Sequence, residues 1–251
     1  MNIALETRGL TKSYGAVQAL RGVDFTARQG AVTALCGDNG AGKSTLIRVL
    51  SGAHEPSSGA VLLAGKVVRF AGPHDALKQG IATIYQDLAV APSMSIWQNI
   101  FMGGEWVRTL LPGIRILDKR AMRDKATALL TSLNQTVSDM DRPVSELSGG
   151  QRQAVAIARA LLWQARIIIM DEPTAALGVK ETAEVLALIG RLKDSGVTVI
   201  LISHNMEDVV AVADHVVILK SGRKVAESEA SGLSARALGQ AILSGAMPAA
   251  V

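Results

Sequence analysis

Eight residues, Gly37-Asp38-Asn39-Gly40-Ala41-Gly42-Lys43-Ser44, restrict the folds open to this chain more than any other stretch. They fit the pattern G-x-x-x-x-G-K-[ST]. A compact apolar run over 31–36 precedes them, and 43–50 reads as a helix opening directly from the loop. The glycines let successive backbone N–H groups turn inward around a phosphate. Lys43 adds a point charge, and the Ser44 hydroxyl suits Mg²⁺. The helix that carries Ser44 and Thr45 directs its positive end at the same anion. A strand, a phosphate loop and a helix in this order call for an α/β domain with its loops at one end of a sheet.

The remaining pattern is consistent with that. Strand signals occur at 2–7 and 17–26, and 60–70 reads as a hairpin with Gly65-Lys66 at its turn. Pro73 suits the first turn of a helix through Lys78, closed by Gly80, and 81–85 reads as a short buried strand. From Ser93 to Leu162 helical spacing takes over, in 96–102, 120–133 and 151–162. Between the first two, 103–117 reads as irregular, with Gly103-Gly104 and Pro112-Gly113 as breakers. Strands return at 167–170, 197–202 and 216–219, alternating with helices at 180–193 and 206–213. This alternation implies a parallel sheet covered on both faces. A last helix is expected at 234–244, and 246–251 is expected to fray. The expected organisation is one domain over 1–251. Residues 1–92 and 163–233 form the core with a β subdomain, 93–162 an inserted helical subdomain, and 234–251 a C-terminal helix and tail.

Composition narrows the setting. The chain is 49% hydrophobic, yet no apolar run reaches the roughly 18 residues that would span a bilayer. The most apolar stretch, 197–219, is broken by Ser203, His204, Asn205, Glu207, Asp208 and Asp214. Residues 1–15 lack a signal-type apolar core, which leads us to expect a cytoplasmic location. The net charge of +4 comes from scattered Lys and Arg with no basic run, so no nucleic-acid partner is expected. The lone cysteine, Cys36, rules out an intrachain disulfide and ends an apolar run, as a packed core thiol would.

Four further features point to chemistry. Asp171 and Glu172 end the apolar run 167–170, where two carboxylates would face the crevice at the end of a parallel strand. Asp171 suits Mg²⁺ through its water shell, and Glu172 suits a general base for a water attacking a γ-phosphate; a turn or helix cap is the plain structural alternative. His204 follows another apolar strand and reaches the same rim, as a γ-phosphate contact or a structural hydrogen-bonding group. Gln86 follows the strand at 81–85 and could bind Mg²⁺ or the attacking water. Leu147-Ser148-Gly149-Gly150-Gln151 offers a hydroxyl and two positions without side chains at the start of a helix, a second place to grip an anion.

With these pieces in order, the chain resembles the nucleotide-binding subunits of ATP-binding cassette (ABC) transporters. The phosphate loop, Gln86, Leu147 to Gln151, the 167–172 segment and His204 match that family's Walker A, Q-loop, signature, Walker B and switch histidine. The resemblance implies a P-loop NTPase (RecA-like) core with a mixed sheet, an N-terminal antiparallel β subdomain and an inserted α-helical subdomain. It implies that ATP and Mg²⁺ bind, and that Tyr14 stacks on adenine. It also implies that two copies meet head to tail, each signature capping the γ-phosphate held by the other copy's Walker A. Hydrolysis through Glu172 then reopens the dimer. Transmembrane permease subunits would dock on the helical subdomain beside Gln86, in a groove lined by 87–102, holding the chain at the inner face of the membrane. A sugar-binding protein outside would act indirectly.

A finer likeness covers 85–92, the segment Asp-Glu-Pro-Thr-Ala-Ala-Leu-Gly-Val-Lys-Glu-Thr at 171–182, and 202–206. These look like the ATPases of ribose-, fructose- and xylose-type monosaccharide importers. Gly178 departs from the general family pattern, which has Asp there. That puts in question the inter-subunit contact usually made at this position. Cassettes for other substrates and non-transport cassettes are the alternatives. Against the latter, the chain between Lys43 and Asp171 has no room for the long coiled coil of chromosome-type ATPases.

Overall fold

The computed structural model describes residues 2–247; the expected fraying at the end of the chain lies largely outside them. The chain opens with two long strands, β1 (Ile3–Tyr14) and β2 (Val17–Arg28), paired antiparallel. Fully buried β3 (Val32–Cys36) leads through the phosphate loop into α1 (Lys43–Leu50). β4 (Ser58–Leu63) and β5 (Lys66–Val68) complete a four-stranded antiparallel sheet in the order β2-β1-β4-β5. Ala64 and Gly65 both have positive φ, as a tight two-residue hairpin turn requires. Next come α2 (Pro73–Lys78), with Pro73 in its first turn, and β6 (Ile81–Ile84).

An excursion of helices separates β6 from the next strand of its sheet. It holds α3 (Ile96–Phe101), α4 (Lys119–Ser132) and α5 (Gly149–Leu162). The segment read as irregular is instead a hairpin, β7 (Val107–Leu111) with β8 (Ile114–Leu117), turning at Pro112-Gly113. Its β-branched and leucine-rich arms favour strand, and the two breakers form its turn rather than dissolving the segment. The chain then alternates: β9 (Ile167–Asp171), α6 (Val179–Asp194), β10 (Thr198–Ile202), α7 (Met206–Val212) and β11 (His215–Lys220). β12 (Arg223–Glu229), absent from the sequence expectation, folds back on β11 before α8 (Ala235–Ser244). Its residues alternate between exposed and half-buried and none is fully buried, so it carries little apolar signal.

The main sheet has the order β12-β11-β3-β10-β9-β6 and is parallel except for β12, hence mixed. Side chains alternate between its faces. Ile168, Met170, Val199 and Leu201 join the core under α3, α4 and α5. Ile167, Ile169, Ile200 and Ile202 join a second core with α1 and the antiparallel sheet. A third, smaller core lies between β11, α7 and α8. Each strand between two cores must be apolar on both sides, which explains the unbroken runs at 167–170 and 198–202.

Replacing Ile169, fully buried at the centre of this sheet, by Ala is expected to lower unfolding free energy by about 2–5 kcal/mol in urea titrations. The same change at Leu243, 73% exposed, should leave the midpoint nearly unmoved.

Candidate functional site

The parallel register sets the site. Ile202 at the end of β10 lies opposite Leu35 on β3 and Asp171 on β9, and Ile84 on β6 lies opposite Met170. The phosphate loop, Asp171-Glu172, His204 and Gln86 therefore all emerge at one edge, the C-terminal end of the parallel strands. That is the edge where open α/β sheets bind ligands.

The phosphate loop is closely packed at two of its glycines. Gly37 has φ +146°, and a Cβ there would lie 2.2 Å from the Leu219 carbonyl oxygen. Gly42, the N-cap of α1 at φ +106°, would bring a Cβ to 2.9 Å from the Ala19 carbonyl oxygen. Gly222 ties the loop to its neighbours: its N–H donates to Ala41 O (2.9 Å), and its carbonyl accepts from Arg21 N–H (2.8 Å). The Lys43 ammonium donates to the Gly37 and Asp38 carbonyls at 2.5 and 3.0 Å, so it already lies over the loop's interior. The cleft here is lined by Asp38, Asn39, Gly40, Ala41, Gly42, Lys43, Ser44 and Thr45. Val17, Gln18, Arg21 and Ser221 also line it, and nothing in their local sequence marks them for this site. Tyr14 stands outside that lining at the end of β1, exposed. It meets the His54 ring edge-on at 5.7 Å and has Lys12 Nζ 5.3 Å from its centroid.

At the acidic pair, Glu172 takes the left-handed backbone conformation at φ +52°, uncommon for a residue with a side chain. Its N–H donates to Ile202 O at 2.9 Å, which pins the turn to the end of β10. Its carboxylate receives His204: Nδ1 lies 2.6 Å from Oε2, and the His204 backbone N–H donates to the same oxygen at 3.4 Å. The imidazole is otherwise exposed, leaving Nε2 toward the opening. The sequence places both residues on one rim but carries no sign that they pair. Asp171 is pushed above the usual carboxylate range, first by burial and then by the charge of Glu172, against the pull of Lys43 and Arg48.

The residues expected to hold Mg²⁺ fit that ion. Asp171, Ser44 and Gln86 offer oxygen donors only, all at the same sheet edge. Among the described residues there is no cluster of three His, Cys, Asp or Glu that would form a dedicated cage. Sparse hard donors suit a cation that keeps waters and takes other ligands from phosphate oxygens.

The second glycine motif lines a separate cleft, with none of the phosphate-loop residues in its wall. Ser148 is the N-cap of α5 in a reciprocal capping box: its Oγ accepts from Gln151 N–H (3.3 Å), and Gln151 Oε1 accepts from Ser148 N–H (3.1 Å). Gly149 and Gly150 lie within the helix. Their lack of side chains serves packing within the chain: a Cβ at Gly149 would lie 2.3 Å from Leu177 Cδ2, and one at Gly150 2.9 Å from Glu184 Oε2. The Gly149 N–H donates to Glu181 Oε1 at 2.9 Å. Among the described residues, the Gly150 N–H has no acceptor in the protein, and the Ser148 hydroxyl proton is also uncommitted.

Cys36, at the foot of the loop, is buried, and desolvation pushes its thiol up to about 12, with Glu172 adding to the shift and Lys43 opposing it. A thiol that stays protonated far above neutral pH is a poor nucleophile. At about pH 8, iodoacetamide should leave the folded protein unlabelled and modify Cys36 only after denaturation. Separately, Gly37→Ala should abolish nucleotide binding measured by calorimetry, since the new methyl group meets backbone rather than a movable side chain.

Comparison with known proteins gives the family and the fold. The family model for ABC transporters matches residues 20–175. A xylose/arabinose import ATP-binding protein of Sulfolobus acidocaldarius is 47% identical over 223 residues, covering 89% of this chain and 87% of that one. A fructose import ATP-binding protein of Rhizobium meliloti is 46% identical over 224 residues, covering 88% and 86%. A ribose import ATP-binding protein of Caldanaerobacter subterraneus is 40% identical over 231 residues, covering 92% of this chain but only 46% of that protein's length. Among solved structures, a nucleotide-free ATP-binding cassette superposes with a TM-score of 0.80 at 29% identity, covering 96% of this chain and 95% of that one. A cassette in its ADP conformation superposes with a TM-score of 0.82 at 26% identity, covering 97% and 96%. The chain belongs to the ABC transporter family, as an ATP-binding cassette.

Proposed function

We propose that this chain is the ATP-hydrolysing subunit of an ABC importer that takes up a monosaccharide through a membrane permease. The observation that carries the reading is a division of the phosphate-binding groups. A complete loop with Lys43 lies at the sheet edge, and a second anion grip at Ser148 and Gly150 lies apart from it, at a separate cleft, with its donors uncommitted. The simplest use for the second grip is the γ-phosphate held by another copy. The xylose/arabinose and fructose import proteins, matched over nearly their whole length, support the sugar class.

In this reading Gly37 to Thr45 wrap the triphosphate, Lys43 moves from its loop carbonyls to the β- and γ-phosphates, and Tyr14 packs beside the base. Glu172 accepts the proton of the attacking water. His204, held on Glu172 through Nδ1, orients that carboxylate and presents Nε2 to the phosphate. Gln86 holds the water and reports to the helical segment. Mg²⁺, held by Ser44 and Asp171 with Gln86 nearby, would neutralise phosphate charge. Ser148, Gly149, Gly150 and Gln151 belong to the other copy's site, the first and third through direct donors, Gln151 by holding Ser148, and Gly149 by its close packing.

The expected groove keeps Met102 of its 87–102 lining, while part of that segment faces the core. Of residues 87–102, Ile96, Trp97, Ile100 and Phe101 are buried in the core under the sheet, because α3 turns its apolar face inward. The groove beside Gln86 is lined by Tyr85, Met102, His74, Leu77, Arg159 and Trp163. We place a permease helix there. The division into the lobes 1–92 with 163–233, 93–162 and 234–251 is part of the same proposal. No helix among the described residues is long and apolar enough to cross a membrane, so attachment to the inner face would come through the permease.

Two variants test this. Glu172→Gln should bind ATP, hydrolyse it at least about a hundredfold more slowly, and run as a dimer on gel filtration with ATP; normal turnover would remove Glu172 as the base. Ser148→Arg should still bind nucleotide as a monomer but fail to dimerise. Loss of nucleotide binding in the monomer would count against a role in the other copy's site.

A further inference from the structure

One carboxylate joins the two halves of the proposed composite site. Glu181, in the first turn of α6, accepts the Gly149 N–H on Oε1 at 2.9 Å and the Gly178 N–H on Oε2 at 3.3 Å. It thus caps the N-termini of α5 and α6 at once, a favourable place for a negative charge. Both bonds hold its carboxyl below the usual glutamate range, the Gly149 bond contributing more. A second bond runs parallel: Gln153 Nε2, on α5, donates to Pro173 O at 2.8 Å and is buried. The signature helix is therefore fastened at two points to residues 173–178, the loop that leaves the acidic pair.

The geometry points to Glu181 as a positioning residue for the trans phosphate grip. It sets Ser148 and Gly150 relative to the loop that follows Glu172 in the same chain. Gly178, the N-cap of α6, brings no side chain to this helix start, and its N–H donates to Glu181 as the N-cap N–H of a capping box does. An Asp there would set a second carboxylate beside the first, since even a Cβ at Gly178 would lie 4.0 Å from Glu181 Oε2. At position 178 this chain therefore makes a tie within itself, through backbone rather than through a side chain. In a two-site sandwich each signature serves the other copy's nucleotide, whereas each Glu172 serves its own. The fastening therefore makes the state of one site felt at the other.

The inference rests on the sandwich reading above, and the experiment separates the two. In full-length chains carrying Glu172→Gln, ATP-induced dimerisation is followed by sedimentation, alongside ATP binding to the monomer and the melting temperature. The parent variant must dimerise; if it does not, the sandwich reading fails, whatever Glu181 does. If it does, adding Glu181→Ala should raise the ATP concentration needed for half-dimerisation roughly tenfold or more, the scale set by removing a charge-assisted hydrogen bond. Monomer binding should stay unchanged, and the melting temperature should fall by no more than about 2–8 °C, the scale of a lost helix cap. Glu181→Gln keeps one acceptor oxygen and should fall between. Asp194→Asn removes an exposed charge at the far end of the same helix and should have no effect. Unchanged dimerisation in Glu181→Ala would overturn the inference. So would equal shifts in Glu181→Gln and Asp194→Asn, which also decides the matter if the alanine variant melts early.

Discussion

Ile202 lies opposite Leu35 on one side and Asp171 on the other, and this parallel register sets where three loops leave the sheet. The strands are buried on both faces, so each presents one set of side chains to the helical core and the alternate set to the α1 core. Sliding β9 by one residue would exchange Ile169 with Met170 between cores of different shape and carry the acidic pair away from the phosphate loop. The cores thus hold the chemistry in alignment. Glu172 shows this directly: its strained backbone is tied to Ile202 O, and its carboxylate receives His204, two residues beyond Ile202.

The parts of the structure legible in the sequence are those where local chemistry decides. Gly37 to Ser44 needs no tertiary context to be read, because few functions other than phosphate binding want that spacing. The runs at 167–170 and 198–202 declare doubly buried strands by composition. Legibility fails where the signal is weak or belongs to distant partners. The hairpin at 107–117 reads as irregular chain because Pro112-Gly113 suits a breaker as well as it suits a turn. β12 lacks an apolar face. No local pattern says that Val17, Arg21 and Ser221 line the nucleotide cleft, since the antiparallel sheet and the β11–β12 turn meet the loop only after folding.

The glycines at 149 and 150 show how a correct motif can have more than one physical cause. Read as sequence, they look like open space for an anion. In the fold they let α5 approach α6 closely, and one of their two N–H groups is taken by Glu181. The motif's anion-binding capacity is thereby narrowed to the Ser148 hydroxyl and the Gly150 N–H. The same packing ties α5 to the chain that follows Glu172, so in the proposed sandwich a grip on one nucleotide and the base for another would be joined through one chain.

The central claim is that the nucleotide on one copy's phosphate loop is completed by the signature of a second copy. The most direct measurement mixes two Glu172→Gln chains, one carrying Asn39→Cys and the other Ser148→Cys, under mild oxidation. Buried Cys36 should stay silent. A disulfide-linked dimer that forms only in the mixture and only with ATP is the predicted result. The absence of that cross-link, in a mixture shown by sedimentation to be dimeric, would contradict the account.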